Sequence, residues 1–313
     1  MKIWLIIVLT ILLFLIGSIY VFIPNNISIN HSLFIKVNRE GIYRNMIIEK
    51  NWSKWWPGNI SYTNMKQNLF YNNSLYSIDK KTFVSLLISI THGSLKANTS
   101  FDLIAKNIDS VNLTWEGTVP TSEQPFKRLQ IYLKAKQINN DIKTILKKIQ
   151  DFFSKTENVY GYNIRHELVT DSILVSTYGI SKNYPSTNLI YGLIDQLKIY
   201  TASRSAKETG FPMLNINTKD SINYLTRVAI PVNKKLPSSG NISYKWMLGG
   251  GNILVMDVKG GPSSIKNAFN QMENYVNDYQ KVAPAIPFQS LITDRRQEPD
   301  TSKWVTRIYY PVM

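Results

Sequence analysis

The chain has 313 residues, of which 44% are hydrophobic and 12% aromatic, so it is long enough for about two domains and can bury a core in each. It has no cysteine, and its three histidines (His31, His92, His166) lie far apart outside any HExxH pattern, which excludes disulfides and thiolate chemistry and leaves no metal and no cofactor to be expected. The formal net charge of +15 is spread over scattered lysines and arginines, with Lys147-Lys148, Lys234-Lys235 and Arg295-Arg296 the densest pairs, so no nucleic acid is expected as a partner and loose attraction to an anionic membrane surface fits better.

Residues Ile3 to Ile23 contain no charged side chain. At about 1.5 Å per residue this run makes about 31 Å of helix, the thickness of a hydrocarbon core. Pro24-Asn25-Asn26 ends it. Lys2 and the α-amine precede it, and the next cations, Lys36 and Arg39, come more than ten residues later. That bias keeps the N-terminus in the cytoplasm and places the remaining chain on the outer, periplasmic or extracytoplasmic side. The run exceeds the apolar core of a signal peptide and no A-x-A-like site follows it. Residues 1–24 therefore read as an uncleaved single-pass anchor in the lipid bilayer.

Residues 27–158 read as a first soluble module. Ile27 to Val37 alternates as a strand, and Asn38 can cap a short helix carrying Ile42, Tyr43, Met46 and Ile47. Three tryptophans, Trp52, Trp55 and Trp56, follow within five residues. Strand-like runs cover 69–78, 82–90, 100–108 and 111–119. A strong helical period then appears at Ile142, Ile145, Leu146, Ile149 and Phe153, with lysines on the other face and Asn140 able to cap its start. A curled antiparallel sheet around one terminal helix would bury that helix's apolar face.

This order of elements, with Ile42-Tyr43 and Trp52…Trp55-Trp56-Pro57, resembles the SRPBCC superfamily (START-like or polyketide-cyclase-like, helix-grip fold). The resemblance implies a deep apolar pocket for lipids, polyketides or other hydrophobic small molecules. Trp52 and Trp56 then become candidate ligand contacts, although packing in the core or a lid is the simpler account of them.

Residues 159–313 repeat. Ser172–Val175 recurs as Asn252–Val255, and Leu225–Val232 as Val305–Val312, both at an offset of 80 residues. Each copy reads as strand, amphipathic helix, strand, strand. The first helix carries Leu189, Ile190, Leu193, Ile194 and Leu197; the second opens at Gly261-Pro262 and carries Ile265, Phe269, Met272 and Val276. Strands follow at 213–216 with 224–231, and at 288–293 with 304–311. Gly249-Gly250-Gly251 reads as a hairpin turn before the second copy. Two such copies about a pseudo-twofold axis would pair their antiparallel sheets, set their helices on one side and open a cleft at the junction. Alternation puts Val305, Arg307 and Tyr309 on one face and Trp304, Thr306, Ile308 and Tyr310 on the other.

The duplication, and most specifically the closing stretch from Pro287 to Val312, resembles the GyrI-like (AraC effector-binding) domain. Membership implies a cleft for small, often amphipathic or cationic molecules, commonly with glutamates on the last two strands. Here those positions carry Gln289 and Arg307, while Trp304 is kept and Glu298 and Asp300 lie in the turn. Arg227 repeats Arg307. Two such arginines favour an anionic or neutral, hydrogen-bond-accepting ligand, unless each merely pairs with a nearby acid (Asp300, Asp220 or Asp257). The candidate ligand-binding residues are Arg227, Gln289, Glu298, Trp304, Arg307 and Tyr309, with Trp52 and Trp56 in the first module.

No GxSxG, Walker A or GxGxxG motif is present, and no helix-turn-helix precedes the repeat. The sequence reads as an α+β protein: an N-terminal transmembrane helix, a helix-grip domain, and a duplicated β-α-β-β domain. Its expected role is a membrane-anchored sensor or carrier that reversibly binds a hydrophobic or amphipathic ligand. A hydrolase or cyclase acting in either module, and an interaction scaffold with vestigial pockets, are the alternatives.

Overall fold

The uncharged N-terminal run forms one helix, α1 (Lys2–Phe22), in a computed structural model that describes residues 2–63, 66–170, 173–218, 222–247 and 249–313. Its side chains are exposed along its length, and it is long and apolar enough to cross a membrane. Its last carbonyls meet a cation. Arg128 is buried, and its Nε donates to the Ile23 carbonyl oxygen at 3.0 Å while Nη2 reaches Asn25 Oδ1 at 2.9 Å. The Tyr20 ring lies 5.0 Å from the same guanidinium. A positive charge at a helix C-terminus satisfies carbonyls that have no partner within the helix.

The chain divides into two units, Met1–Val159 and Tyr160–Met313. In the first, β1 (Asn26–Ile35) leads to α2 (Arg39–Met46) and a 3₁₀ turn at Glu49–Lys54. Asn38 caps α2 as its sequence suggests, with Oδ1 accepting from the Glu40 N–H at 2.7 Å. Six strands follow: β2 (Asn59–Thr63), β3 (Lys66–Tyr71), β4 (Ser74–Lys81), β5 (Ser85–His92), β6 (Leu95–Asn107) and β7 (Ser110–Pro120). They form an antiparallel sheet in the order β1-β7-β6-β5-β4-β3-β2. The run at 69–78 is thus two strands, because Asn72 and Asn73 adopt positive φ (46° and 64°) and turn the chain back in a tight hairpin.

The long helix α3 (Pro125–Phe153) lies against β1 and β7. It begins 15 residues before Asn140, so Asn140 is interior and caps nothing. Pro125, whose missing N–H costs nothing in a first turn, sets the start instead. Ile138, Ile142, Ile145, Ile149 and Phe153 are buried against the sheet. The short helix α4 (Thr156–Tyr160) follows.

The second unit contains β8 (Arg165–Leu168), β9 (Ile173–Ser181), α5 (Thr187–Ser203), β10 (Met213–Thr218), β11 (Tyr224–Pro231), β12 (Ser243–Trp246), β13 (Asn252–Lys259), α6 (Pro262–Asp278), β14 (Phe288–Leu291) and β15 (Val305–Pro311). Its eight strands form one continuous sheet, β12-β9-β11-β10-β14-β15-β13-β8, rather than two paired ones. The order is symmetric about the β10–β14 seam, so the duplication is visible as a pseudo-twofold axis. Helix α5 packs on β9 and β11, and α6 on β13 and β15, both on one face. Ser186 caps α5, its Oγ accepting from the Leu189 N–H at 3.2 Å. In the first half Val175, Leu214, Val228 and Ile230 pack against Ile190, Ile194 and Leu197.

Two further features differ from the sequence reading. The triple glycine is not a hairpin turn, since β12 pairs with β9 and β13 with β8 at the far edge of the sheet. Each half thus lends its first strand to the other. Nor does one offset hold throughout. Strand pairing matches Thr177 with Met256 and Val228 with Ile308, a shift of 79 residues in the first strand and 80 in the last. Burial agrees: Thr177 and Met256 are buried, whereas Asp257, the partner at an offset of 80, is exposed. Ser172, the first residue of the repeated quartet, lies outside the described residues.

Candidate functional site

Among the described residues of the second unit a cleft lies on each face of the sheet. The first opens on the helix-free face over β9, β11 and β10, with a volume of about 520 Å³. Its floor is built from small side chains, Ser176, Ala229 and Ser243, which leave room above the backbone. Met213, Ile286 and Phe288 wall it with apolar surface. Its charged lining groups are Arg227 and Lys245, and no carboxylate lines it among the described residues.

The second cleft, of about 620 Å³, lies on the helix side between β10 and α6. It is bounded by Tyr184, Tyr224, Ile216, Phe269, Lys266 and Gln289. The Tyr184 and Tyr224 rings meet edge to face at 5.6 Å. The corresponding place in the other half, over α5, is taken by the turn between β14 and β15. Arg296 Nη1 bonds Asp195 Oδ2 at 2.8 Å and its guanidinium lies 4.5 Å from the Tyr191 ring centre. The Arg295 N–H donates to the Tyr191 hydroxyl at 2.7 Å.

The structure sorts the sequence-derived residues between these faces. Arg227, Arg307 and Tyr309 lie on the helix-free face, as alternation requires. Arg227 lines the first cleft and donates through Nη1 to Asn215 Oδ1 at 3.2 Å. Arg307 is neutralised. Its Nε donates to Asp257 Oδ1 at 2.6 Å, and Arg165 Nη2 reaches the same carboxylate at 3.1 Å. Burial alone would raise the pKa of Asp257, yet the two guanidiniums hold it below the usual carboxylate range. Tyr309 stacks on Phe288, with centroids 5.0 Å apart and planes at 19°.

Gln289 and Trp304 belong to the helix side. Gln289 is 5% exposed, and its Oε1 accepts from Arg295 Nη2 at 2.9 Å. The same nitrogen donates to Thr306 Oγ1 at 3.0 Å, and the Arg295 guanidinium lies 4.7 Å from the Trp304 ring centre. Burial lowers the pKa of Arg295, and no acid pairs with it among the described residues. Glu298 is engaged in its own turn, its carboxylate accepting from the Asp300 N–H at 3.0 Å and its carbonyl from Trp304 Nε1 at 2.8 Å. Asp220 lies outside the described residues.

In the first unit Trp52 and Trp56 are buried. Trp52 Nε1 donates to the Met46 carbonyl oxygen at 2.7 Å and Trp56 Nε1 to that of Phe70 at 3.1 Å. With Trp55, Tyr76, Phe101, Trp115 and Phe153 they form a chain of rings 4.3 to 6.2 Å apart. All seven rings are buried in the first unit.

Sequence reasoning missed Arg295 and Lys245. The Arg295-Arg296 pair was visible, but only folding shows that it fills one half of the helix-side groove. Lys245 sits on the edge strand β12, which is too short to carry a period.

No family model and no curated protein matches the chain. Among solved structures, the chain is similar to the C-terminal domain of EcmrR, at 19% identity and a TM-score of 0.41, covering 49% of this chain and 98% of that one. It is similar to a hydrolase from Listeria innocua at 10% identity and a TM-score of 0.37, covering 48% and 92%. It is also similar to CalU16 from Micromonospora echinospora at 12% identity and a TM-score of 0.30, covering 40% and 73%. At such identities and scores the function rests on the chain's own residues.

Proposed function

We propose that the protein is a membrane-anchored receptor or carrier that reversibly holds a hydrophobic or amphipathic small molecule in the helix-free cleft of its second unit. One observation carries the reading: a concavity of about 520 Å³ with small residues on its floor, apolar walls and a few polar groups. Binding pockets for small molecules have this size and this balance of lining. In this reading residues 1–24 are the anchor, 27–158 an SRPBCC-like module and 159–313 a GyrI-like one.

The anchor reading has support beside hydropathy. Phe126, Leu129 and Leu133 are exposed on one stripe of α3, beside the end of α1 to which Arg128 ties it. Apolar side chains there would sit in the headgroup layer when α1 spans the bilayer.

The cleft is tested with octanol, followed by ligand-observed NMR on the full chain in phosphatidylcholine nanodiscs. Saturable binding is expected, and Ala229→Trp should abolish it by filling the floor. Binding that is unchanged in this variant would refute the cleft. Orientation is tested separately, because a chain without cysteine accepts a single reporter. Ser239→Cys, on an exposed loop, should react with a membrane-impermeant maleimide in intact cells. Protection until the cells are lysed would place the second unit inside.

A further inference from the structure

We infer that the ligand of the helix-free cleft is an amphipathic anion, its carboxylate or phosphate head held by Arg227 and its apolar body lying over Ala229, Met213 and Phe288. The inference rests on the cleft reading above and adds the charge of the ligand.

The duplication supplies an internal control. Arg227 on β11 and Arg307 on β15 occupy matching positions on the same face of one sheet. Across from Arg307 on β13 stands Asp257, which fixes the guanidinium at 2.6 Å. Across from Arg227 on β9 stands Tyr178. The half with the acid neutralises its arginine within the fold. In the other half the acid is replaced, and the cleft opens there.

What Arg227 retains is weak. Among the described residues its one hydrogen bond goes to the neutral amide oxygen of Asn215, at 3.2 Å. A guanidinium has five N–H donors and keeps its charge, so most of this fork is left for an acceptor from outside. The side chain is half-buried beside apolar walls, where a charge without a counter-charge is costly. A planar carboxylate or a phosphate matches the fork in two parallel bonds. Lys245, at the other end of the cleft, adds attraction for an anion, and no described carboxylate in the lining opposes it. Met213, Ile286 and Phe288 give the rest of the ligand an apolar bed.

The test uses the full chain in phosphatidylcholine nanodiscs, titrated calorimetrically with octanoate, octyl phosphate and octanol, with empty nanodiscs subtracted. The expected result is that at least one anion binds about tenfold or more tightly than octanol. The tighter of the two anions identifies the head group. Arg227→Gln should remove the preference for the anions. Tyr178→Asp, on an exposed position, should do the same by giving Arg227 the acid that Arg307 already has. Octanol binding as tightly as both anions, and still lost in Ala229→Trp, overturns the anion inference and leaves the cleft standing. A preference that survives in both Arg227→Gln and Tyr178→Asp overturns Arg227 as the head site. Octanol binding that ignores Ala229→Trp overturns the cleft itself.

Discussion

Asp141 is one of the few ionisable side chains inside the first unit. It projects from α3 at 4% exposure, with Oδ1 accepting from Asn72 Nδ2 at 2.9 Å and Oδ2 buried without a partner among the described residues. Burial pushes its pKa above the usual carboxylate value, against the Asn72 hydrogen bond and the nearby His92, which pull it down. A carboxyl whose folded pKa is raised stabilises the fold below its unfolded value and loses that contribution as pH rises through the folded one. Asp141→Asn keeps the acceptor for Asn72 and removes the charge. Thermal melts of the two proteins should coincide near pH 4, and by pH 8 the variant should melt a few degrees higher. A variant that melts lower at every pH would show that the charged form is wanted. Asp257 has the other sign: its two arginines depress its pKa, so its contribution is present at neutral pH and is lost in acid. Neither sign was readable beforehand, since both residues are plain aspartates until their neighbours are known.

The elements whose period is set by burial on one face were legible: the apolar stripe of α3, both helices of the repeat, and the alternation that puts Arg227 and Arg307 on one side. Boundaries were less so. The first half of α3 hides its helical character because Phe126, Leu129 and Leu133 face outward, and β8 and β12 are four-residue edge strands. The joint between α1 and α3 is a contact between remote residues that no local pattern announces. Arg128→Ala removes its hydrogen bonds to the Ile23 carbonyl and Asn25, and should cost about 1.5–3 kcal/mol locally. Hydrogen–deuterium exchange should rise at Ile23 and at Asn25–Ile27 and stay unchanged in β5 and β6. Uniform exchange across the unit would mean that the guanidinium does not hold the joint.

At the scale of the whole chain, the exchanged edge strands make the second unit indivisible. Residues 160–238 alone would leave β8 without β13, β9 without β12 and β10 without β14. Three unpaired edges expose backbone groups that a stable sheet must satisfy. Residues 160–313 should therefore unfold in one cooperative transition, whereas 160–238 should show neither dispersed amide resonances nor a melting transition. A folded half would mean that the exchanged strands are dispensable.

The sequence by itself determined the long uncharged N-terminal helix, the α+β class, the two-part organisation and the duplication, because each follows from apolar periodicity or self-similarity along the chain. It also named Arg227 and Arg307 as a pair. Only the tertiary structure decided that one of them is neutralised and the other faces a cleft, and that Gln289 and Trp304 lie with Arg295 on the far face of the sheet. The reason is physical. Which side chain stands across from another depends on strand register, and a shift from 80 residues to 79 turns a buried threonine's counterpart from an aspartate into a methionine.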